Sequence, residues 1–456
     1  MAESIEQLAR FVAETQWEDI PEAVQRHAIQ VLLDTLGVIL AGSEQPEVAR
    51  LRQQLVTSNG VGATVLAPGW PTSDPRTAAL LNGIAGRSIE LCEGHRYVSC
   101  QAAIQIVPAV LAVGEACNAT GREVLTALIL GYDTAVRVGA CLTSRALAHQ
   151  NGQAPMIGAI AAASRLRGLN ASQTSRAIRI GATLVLTPSY TNAVAGATVL
   201  NVAGGMSGFA GTLAPELALA GFEAQDRAIE EAFSQLVGDG FQPDSMLDEI
   251  GQRWEISRNY FRLRACCNPT YAALDALEDA LADLHPAPDD IERIDVATYG
   301  FASVMQNPAP LNTFAARYSL PHAAAAIVVR GEAGYGAFTE SVVRDPTIAA
   351  LRHRVQIRED AQLTAMLPHL KPARVTVTLK DGRQCTKTCD SAQGDFQRPY
   401  PASALREKFR QLAGLVLTEA GMTAVETTID QFEQRQSLRE FVSLLRRHGR
   451  SASEQA

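Results

Sequence analysis

Asn82-Gly-Ile-Ala-Gly-Arg87-Ser-Ile-Glu90-Leu-Cys92-Glu93-Gly-His95-Arg-Tyr-Val-Ser-Cys100-Gln101-Ala-Ala-Ile-Gln-Ile-Val-Pro108-Ala-Val-Leu-Ala-Val-Gly-Glu115 holds the key to this chain. It opens on small residues, passes through a run carrying Arg87, Glu90, Glu93, His95 and Arg96, and ends in a segment that is almost entirely apolar from Ala102 to Val113. A helix that is apolar all round belongs in a core. The charged run feeding it is therefore predicted to form the wall of a site, because buried carboxylates and cations need partners.

Working outward, the same helical habit continues. Apolar residues recur at helical spacing through Leu8, Phe11 and Val12, break at Trp17-Glu-Asp-Ile-Pro21, and resume through Ala28, Val31 and Leu32, which predicts a helical hairpin. Ala- and Gly-rich helices are predicted over 76–90, 102–117, 121–141, 153–166, 171–187 and 200–219, where small side chains allow short distances between axes. No Gly-x-Gly-x-x-Gly follows a strand, so a dinucleotide fold is not expected. After Cys267 the period changes. Ile291–Tyr299 alternates like a strand, and Arg374–Leu379 meets Gln384–Cys389 across Lys380-Asp-Gly-Arg383, a hairpin signal. A small sheet is expected between about 268 and 396, and the helical runs 405–413 and 424–445 are expected to rejoin the first body.

Composition narrows the function classes. A chain of 456 residues, 47% hydrophobic and 19% charged, can bury a large core and is long enough for two domains. Its formal charge of -8 shows no basic stripe, so neither nucleic acid nor an anionic membrane surface is an expected partner. The first residues lack a secretory pattern and no apolar stretch is long enough to span a bilayer. Eight cysteines without repeated Cys-x-x-Cys pairs argue against structural zinc, and a reduced, cytoplasmic protein is the expectation.

The segment from Asn82 resembles the signature of the MmgE/PrpD family (2-methylcitrate dehydratase, cis-aconitate decarboxylase, iminodisuccinate epimerase), in which an Asn-Gly start leads into a His-x-x-Asp-Phe-Asp-Asp run. Weaker matches follow in order: Asp34-Thr-Leu-Gly37, Phe261-Arg-Leu-Arg-Ala-Cys-Cys267, Arg317-Tyr-Ser-Leu-Pro-His322, and Asp390-Ser-Ala-Gln-Gly394 ahead of Lys408-Phe409. The resemblance implies a mainly α fold, with an all-helical domain of residues 1–267 and 397–456 and an α+β lid domain of residues 268–396. It further implies a homodimer with its site between the domains.

By the same resemblance, Glu90 stands where the family has its first aspartate and Arg87 where it commonly has histidine. Arg87 is expected to hold a substrate carboxylate, and Glu90 to accept a proton or orient a neighbour. The plain alternative is an ordinary helical ion pair three residues apart. His95 adds a titratable imidazole, and Gln101 replaces a family histidine. His149, in Ala148-His-Gln-Asn-Gly152, matches Phe-His-x-Thr-Gly and is the leading acid or base, expected at a helix entrance whose backbone N–H groups attract carboxylate. Arg262 and Arg264 fall on a lysine-bearing segment and keep its positive charge without its basicity. Cys267, Tyr318 and His322 complete the candidates, with Cys267 a thiolate base if cationic neighbours lower its pKa.

These residues point to a lyase or isomerase that moves a proton next to a carboxylate, with no metal or organic cofactor implied. The altered positions argue against 2-methylcitrate itself as substrate. Two alternatives stand beside it: a descendant that keeps the fold as a binding or scaffold dimer, and a cysteine-dependent transferase.

Overall fold

The computed structural model describes residues 2–56, 62–98 and 100–450. Helices α1 (Ala2–Glu14) and α2 (Glu22–Gly42) form the hairpin, and a central set follows: α3 (Pro75–Arg87), α4 (Ala103–Cys117), α5 (Gly121–Ala140), α6 (Ala154–Leu166), α7 (Ala171–Gly181) and α8 (Val202–Leu219). Every residue of α4 from Ala103 to Glu115 is buried, as its all-round apolar sequence demands. α4 packs against α3, α6 and α8. Small residues make this possible: a Cβ on Gly83 would lie 2.6 Å from the Gly204 carbonyl oxygen and 2.7 Å from Gly205 Cα, so α3 and α8 touch backbone to backbone.

The sheet is built from β1 (Ile291–Thr298), β2 (Val355–Glu359), β3 (Ala373–Leu379) and β4 (Gln384–Cys389), in the order β4-β3-β1-β2. β3 and β4 pair antiparallel as the hairpin, with Gly382 at φ 87° in its turn. β1 and β2 run parallel, and the helical segment between them supplies the crossover that a parallel pair requires. Helix α9 (Tyr271–Leu284) covers β3 and β4, while the alternate residues Ala373, Val375, Val377 and Leu379 are buried. Helix α10 (Leu320–Arg330) lies within the crossover. The returning helices are α11 (Ala402–Ala413), α12 (Glu419–Ile429) and α13 (Leu438–Arg447). α11 packs on α2 and α13 on α4, so the chain end closes over the helical body.

Three element boundaries differ from the sequence reading. α3 stops at Arg87, and Glu90 sits beyond it at φ 54°, a left-handed conformation unusual for glutamate. α7 stops at Gly181 before β-branched Thr183, Val185 and Thr187 lead into Pro188, which disfavours helix in the residue before it. The run predicted over 424–445 breaks, because Ser437 caps a fresh helix start by accepting from the Glu440 N–H.

Polar fasteners hold the segment between α3 and α4. Lys408 Nζ of α11 donates to Asp34 Oδ1 of α2 (2.6 Å) and to the Leu91 carbonyl (2.7 Å). Glu93 accepts from the Ala103 N–H (2.8 Å), the Tyr132 hydroxyl (2.8 Å) and Asn259 Nδ2 (3.2 Å). Asn82 binds Leu66 N–H and the Thr64 carbonyl, so the Asn-Gly start serves packing. Among the described residues no helix is long and apolar enough to cross a membrane.

Candidate active site

The segment pinned by these fasteners borders a cavity of about 310 Å³, at the small end of the range for small-molecule sites. Glu90, Gln101, His149, Arg262, Cys267 and Tyr318 line it.

Glu90 is the hub of the wall. Its carboxylate accepts from Arg262 (2.7 Å) and from the Tyr318 hydroxyl (2.9 Å), and pairs closely with Arg87, which also donates to Tyr318 (2.9 Å). Arg262 reaches the Glu90 backbone carbonyl as well (3.1 Å), which fixes the left-handed turn. Burial works to raise the Glu90 pKa, but Arg87 and Arg262 together outweigh it and hold the group well below the usual carboxylate range. Glu90 is therefore an ionised anchor at neutral pH rather than a proton acceptor. Its contact with Arg87 arises from the turn after α3, not from one helix face. The wall holds two guanidinium groups against one carboxylate, an excess of one positive charge with almost no exposure to solvent.

His149 lies on the loop before α6, with its backbone N–H donated to the Pro188 carbonyl (2.9 Å) and its ring stacked on Tyr190 at 5.3 Å. Its Nδ1 accepts from the Asn151 N–H (3.2 Å), so the neutral ring carries its proton on Nε2, which makes no hydrogen bond among the described residues. Burial, then the positive charge of Arg87, pushes its pKa down to about 3. The imidazole is a neutral donor rather than a base poised near neutrality. The expected anion-binding N–H groups are already engaged: Asn151 serves His149, and Gly152 donates to Gln105 Oε1 (2.7 Å).

Cys267 meets the Tyr190 hydroxyl at 3.3 Å, and burial, with Glu90 adding to it, pushes its thiol up to about 12. Gln101 is buried and its Oε1 has no hydrogen-bond partner among the described residues.

Two comparisons bear on this arrangement. The MmgE/PrpD N-terminal domain matches residues 6–245 and the MmgE/PrpD C-terminal domain matches residues 265–434. The chain belongs to the MmgE/PrpD family. Its relatives include a cis-aconitate decarboxylase-like protein of Aspergillus oryzae, 23% identical over 96% of each chain. They also include the cis-aconitate decarboxylase of Mus musculus, 22% identical over 91% of this chain and 87% of that protein. The Homo sapiens cis-aconitate decarboxylase is likewise 22% identical, over 88% of this chain and 85% of its own.

Four candidates of this MmgE/PrpD chain do not line the cavity. Arg87 stands behind Glu90, fully buried. His95 pairs with Asn259 in a short two-stranded ladder, and its Nε2 lies 3.3 Å from Glu255; only its neighbours Arg96 and Tyr97 reach the cavity. Arg264 is turned away to Asp275 and Glu278, both at 2.7 Å. His322 starts α10 with Nε2 3.0 Å from the Ala337 carbonyl and Nδ1 3.3 Å from Arg352, so both ring nitrogens are occupied, and burial pushes its pKa down to about 4. It cannot supply an acid to this cavity. The structure adds Arg96, Tyr97, Tyr190, Tyr260 and Lys371 to the lining. Tyr260 had a usable signal, standing two residues before Arg262 in an extended segment. Tyr190, which opens the short helix Tyr190–Val194, and Lys371, on the loop before β3, had none, because segments distant in sequence deliver them.

Proposed function

We propose that the protein is a lyase of the decarboxylase type acting on a small carboxylic acid, with cis-aconitate the first substrate to try. The observation that carries this reading is the buried wall of Arg87, Glu90 and Arg262, which lacks one anion for neutrality and borders a cavity of about 310 Å³. Decarboxylation ranks ahead of dehydration and epimerisation because the relatives above are decarboxylases or decarboxylase-like by name.

Loss of CO₂ breaks a C–C bond and leaves its electron pair on the substrate, delocalised toward a remaining carboxylate. Arg262 stabilises that developing charge, and the Nε2–H of His149 is the neutral donor placed to meet it. A proton then returns to carbon. Glu90 takes no part in proton transfer; it positions both guanidinium groups and Tyr318. The raised thiol of Cys267 disfavours the transferase alternative. The same reading includes a homodimer in the cytoplasm, checked by light scattering and by fractionation.

The test is incubation with cis-aconitate in deuterated water. One deuterium per product molecule and stoichiometric CO₂ are expected, both lost in His149→Ala. CO₂ release that survives His149→Ala undiminished would overturn the assignment of His149, and no conversion of this or other small di- and tricarboxylates would overturn the reading.

A further inference from the structure

Four cations line the cavity among the described residues: Arg96, Arg145, Arg262 and Lys371. Three have carboxylate partners, Arg96 with Asp395 (2.7 Å), Arg145 with Asp239 (3.0 Å) and Arg262 with Glu90 (2.7 Å). Lys371 differs. Its Nζ donates to the Arg96 carbonyl at 2.9 Å and forms no ion pair among the described residues. An ammonium carries three donors, so two remain for a ligand.

The backbone that carries it is held in place. The Lys371 N–H donates to the Asp390 carbonyl (3.3 Å), and the adjoining Pro372 carbonyl accepts from Thr298 Oγ1 of β1 (3.0 Å). The loop before β3, its backbone tied to the sheet, thus brings a cation to a cavity whose other charged wall comes from the helical body.

We propose that Lys371 binds a second, non-reacting carboxylate of the substrate and so makes the cavity select acids with two or more carboxylates over monocarboxylic acids. This rests on the lyase reading above. Burial, then Arg96, pushes the Lys371 pKa down to about 8, as for an ammonium without its counter-ion. The other titratable groups facing it are Asp395, Cys267 and His95. Of these Asp395 is committed to Arg96, Cys267 stays protonated, and burial keeps His95 neutral.

The test titrates cis-aconitate and crotonate, a monocarboxylate, into wild type, Lys371→Met and Lys371→Arg by calorimetry, with turnover of cis-aconitate measured alongside. Lys371→Met is expected to weaken cis-aconitate binding about tenfold or more, leave crotonate unchanged and leave kcat within about threefold, with Lys371→Arg restoring affinity. Wild-type affinity for cis-aconitate should fall as pH rises through about 8, where the ammonium loses its proton, while Lys371→Arg shows no such fall. The pH comparison stands even if the methionine variant fails to fold. Equal cis-aconitate affinity in folded Lys371→Met, or a loss of kcat with affinity unchanged, would overturn the assignment. Wild-type binding of neither acid would overturn the underlying lyase reading, and this assignment with it.

Discussion

Arg262 and Arg264 lie two residues apart in one buried segment, yet they belong to regions of opposite character. In the cavity wall, Arg87 and Arg262 face the single carboxylate of Glu90. On the flank, Arg264 meets Asp275 and Glu278, and Arg398 stands 4.0 Å from Asp275, so two cations face two carboxylates. The flank is complete in itself, while the wall is short of one anion. What distinguishes the two arginines is this local sum of charge, not the residue type. His149 and His322 repeat the contrast: one has a ring nitrogen free toward the cavity, the other has both engaged.

Glu90 is the place to break that contrast with the largest effect. Glu90→Gln leaves two buried guanidinium groups without a carboxylate and should cost about 3–5 kcal/mol in urea unfolding, together with activity. Glu278→Gln removes a carboxylate whose side chain is 43% exposed and should cost within about 1 kcal/mol. Similar losses would erase the distinction between wall and flank.

The histidines should separate by readout. His149→Ala is expected to lower turnover per folded molecule about 100-fold or more, with a stability cost of about 1–3 kcal/mol for the Asn151 N–H left without its acceptor. His322→Ala strips partners from Ala337 and Arg352 and should cost about 1–3 kcal/mol of stability, with turnover per folded molecule kept. A His322 variant that stays stable but loses turnover would put that residue back in the chemistry. Because the His149 pKa lies near 3, its protonation should leave no limb in the rate profile between pH 5 and 7.

Subtler substitutions sharpen the comparison. Arg262→Lys keeps the charge but loses the planar guanidinium whose Nη1 holds the Glu90 carboxylate and backbone carbonyl while Nη2 reaches the Tyr260 hydroxyl, and KM should rise about tenfold, while Arg264→Lys leaves KM unchanged. The smallest effect belongs to Cys267→Ser, within about threefold in turnover, since a thiol with a pKa near 12 stays protonated at neutral pH. Inactivation by thiol alkylation at Cys267 would contradict this.

The helices and the β3/β4 hairpin were legible because their signals are local: apolar spacing, small residues at crossings, and Asp381-Gly382 at the turn. Glu90, His149, Arg262 and Tyr318 were legible through spaced motif resemblance, and they share one cavity. The turn at Glu90 was not, because a left-handed backbone is ordinarily announced by glycine or asparagine. Nor could the sequence tell which way Arg264 and His322 turn, since their partners Asp275, Ala337 and Arg352 are themselves chosen by packing of the crossover. Lys371 reaches the cavity from a loop between strands, with nothing local to mark it.

The central claim is that the wall's excess positive charge takes its missing anion from the substrate. It is tested most directly by calorimetric titration of cis-aconitate at pH 7 into wild type and Arg262→Met, a variant that leaves one guanidinium facing one carboxylate, as on the balanced flank. Saturable binding to wild type, weakened at least about tenfold in the folded variant, is the expected result. Equal affinity in both proteins, or no binding to wild type, would contradict it.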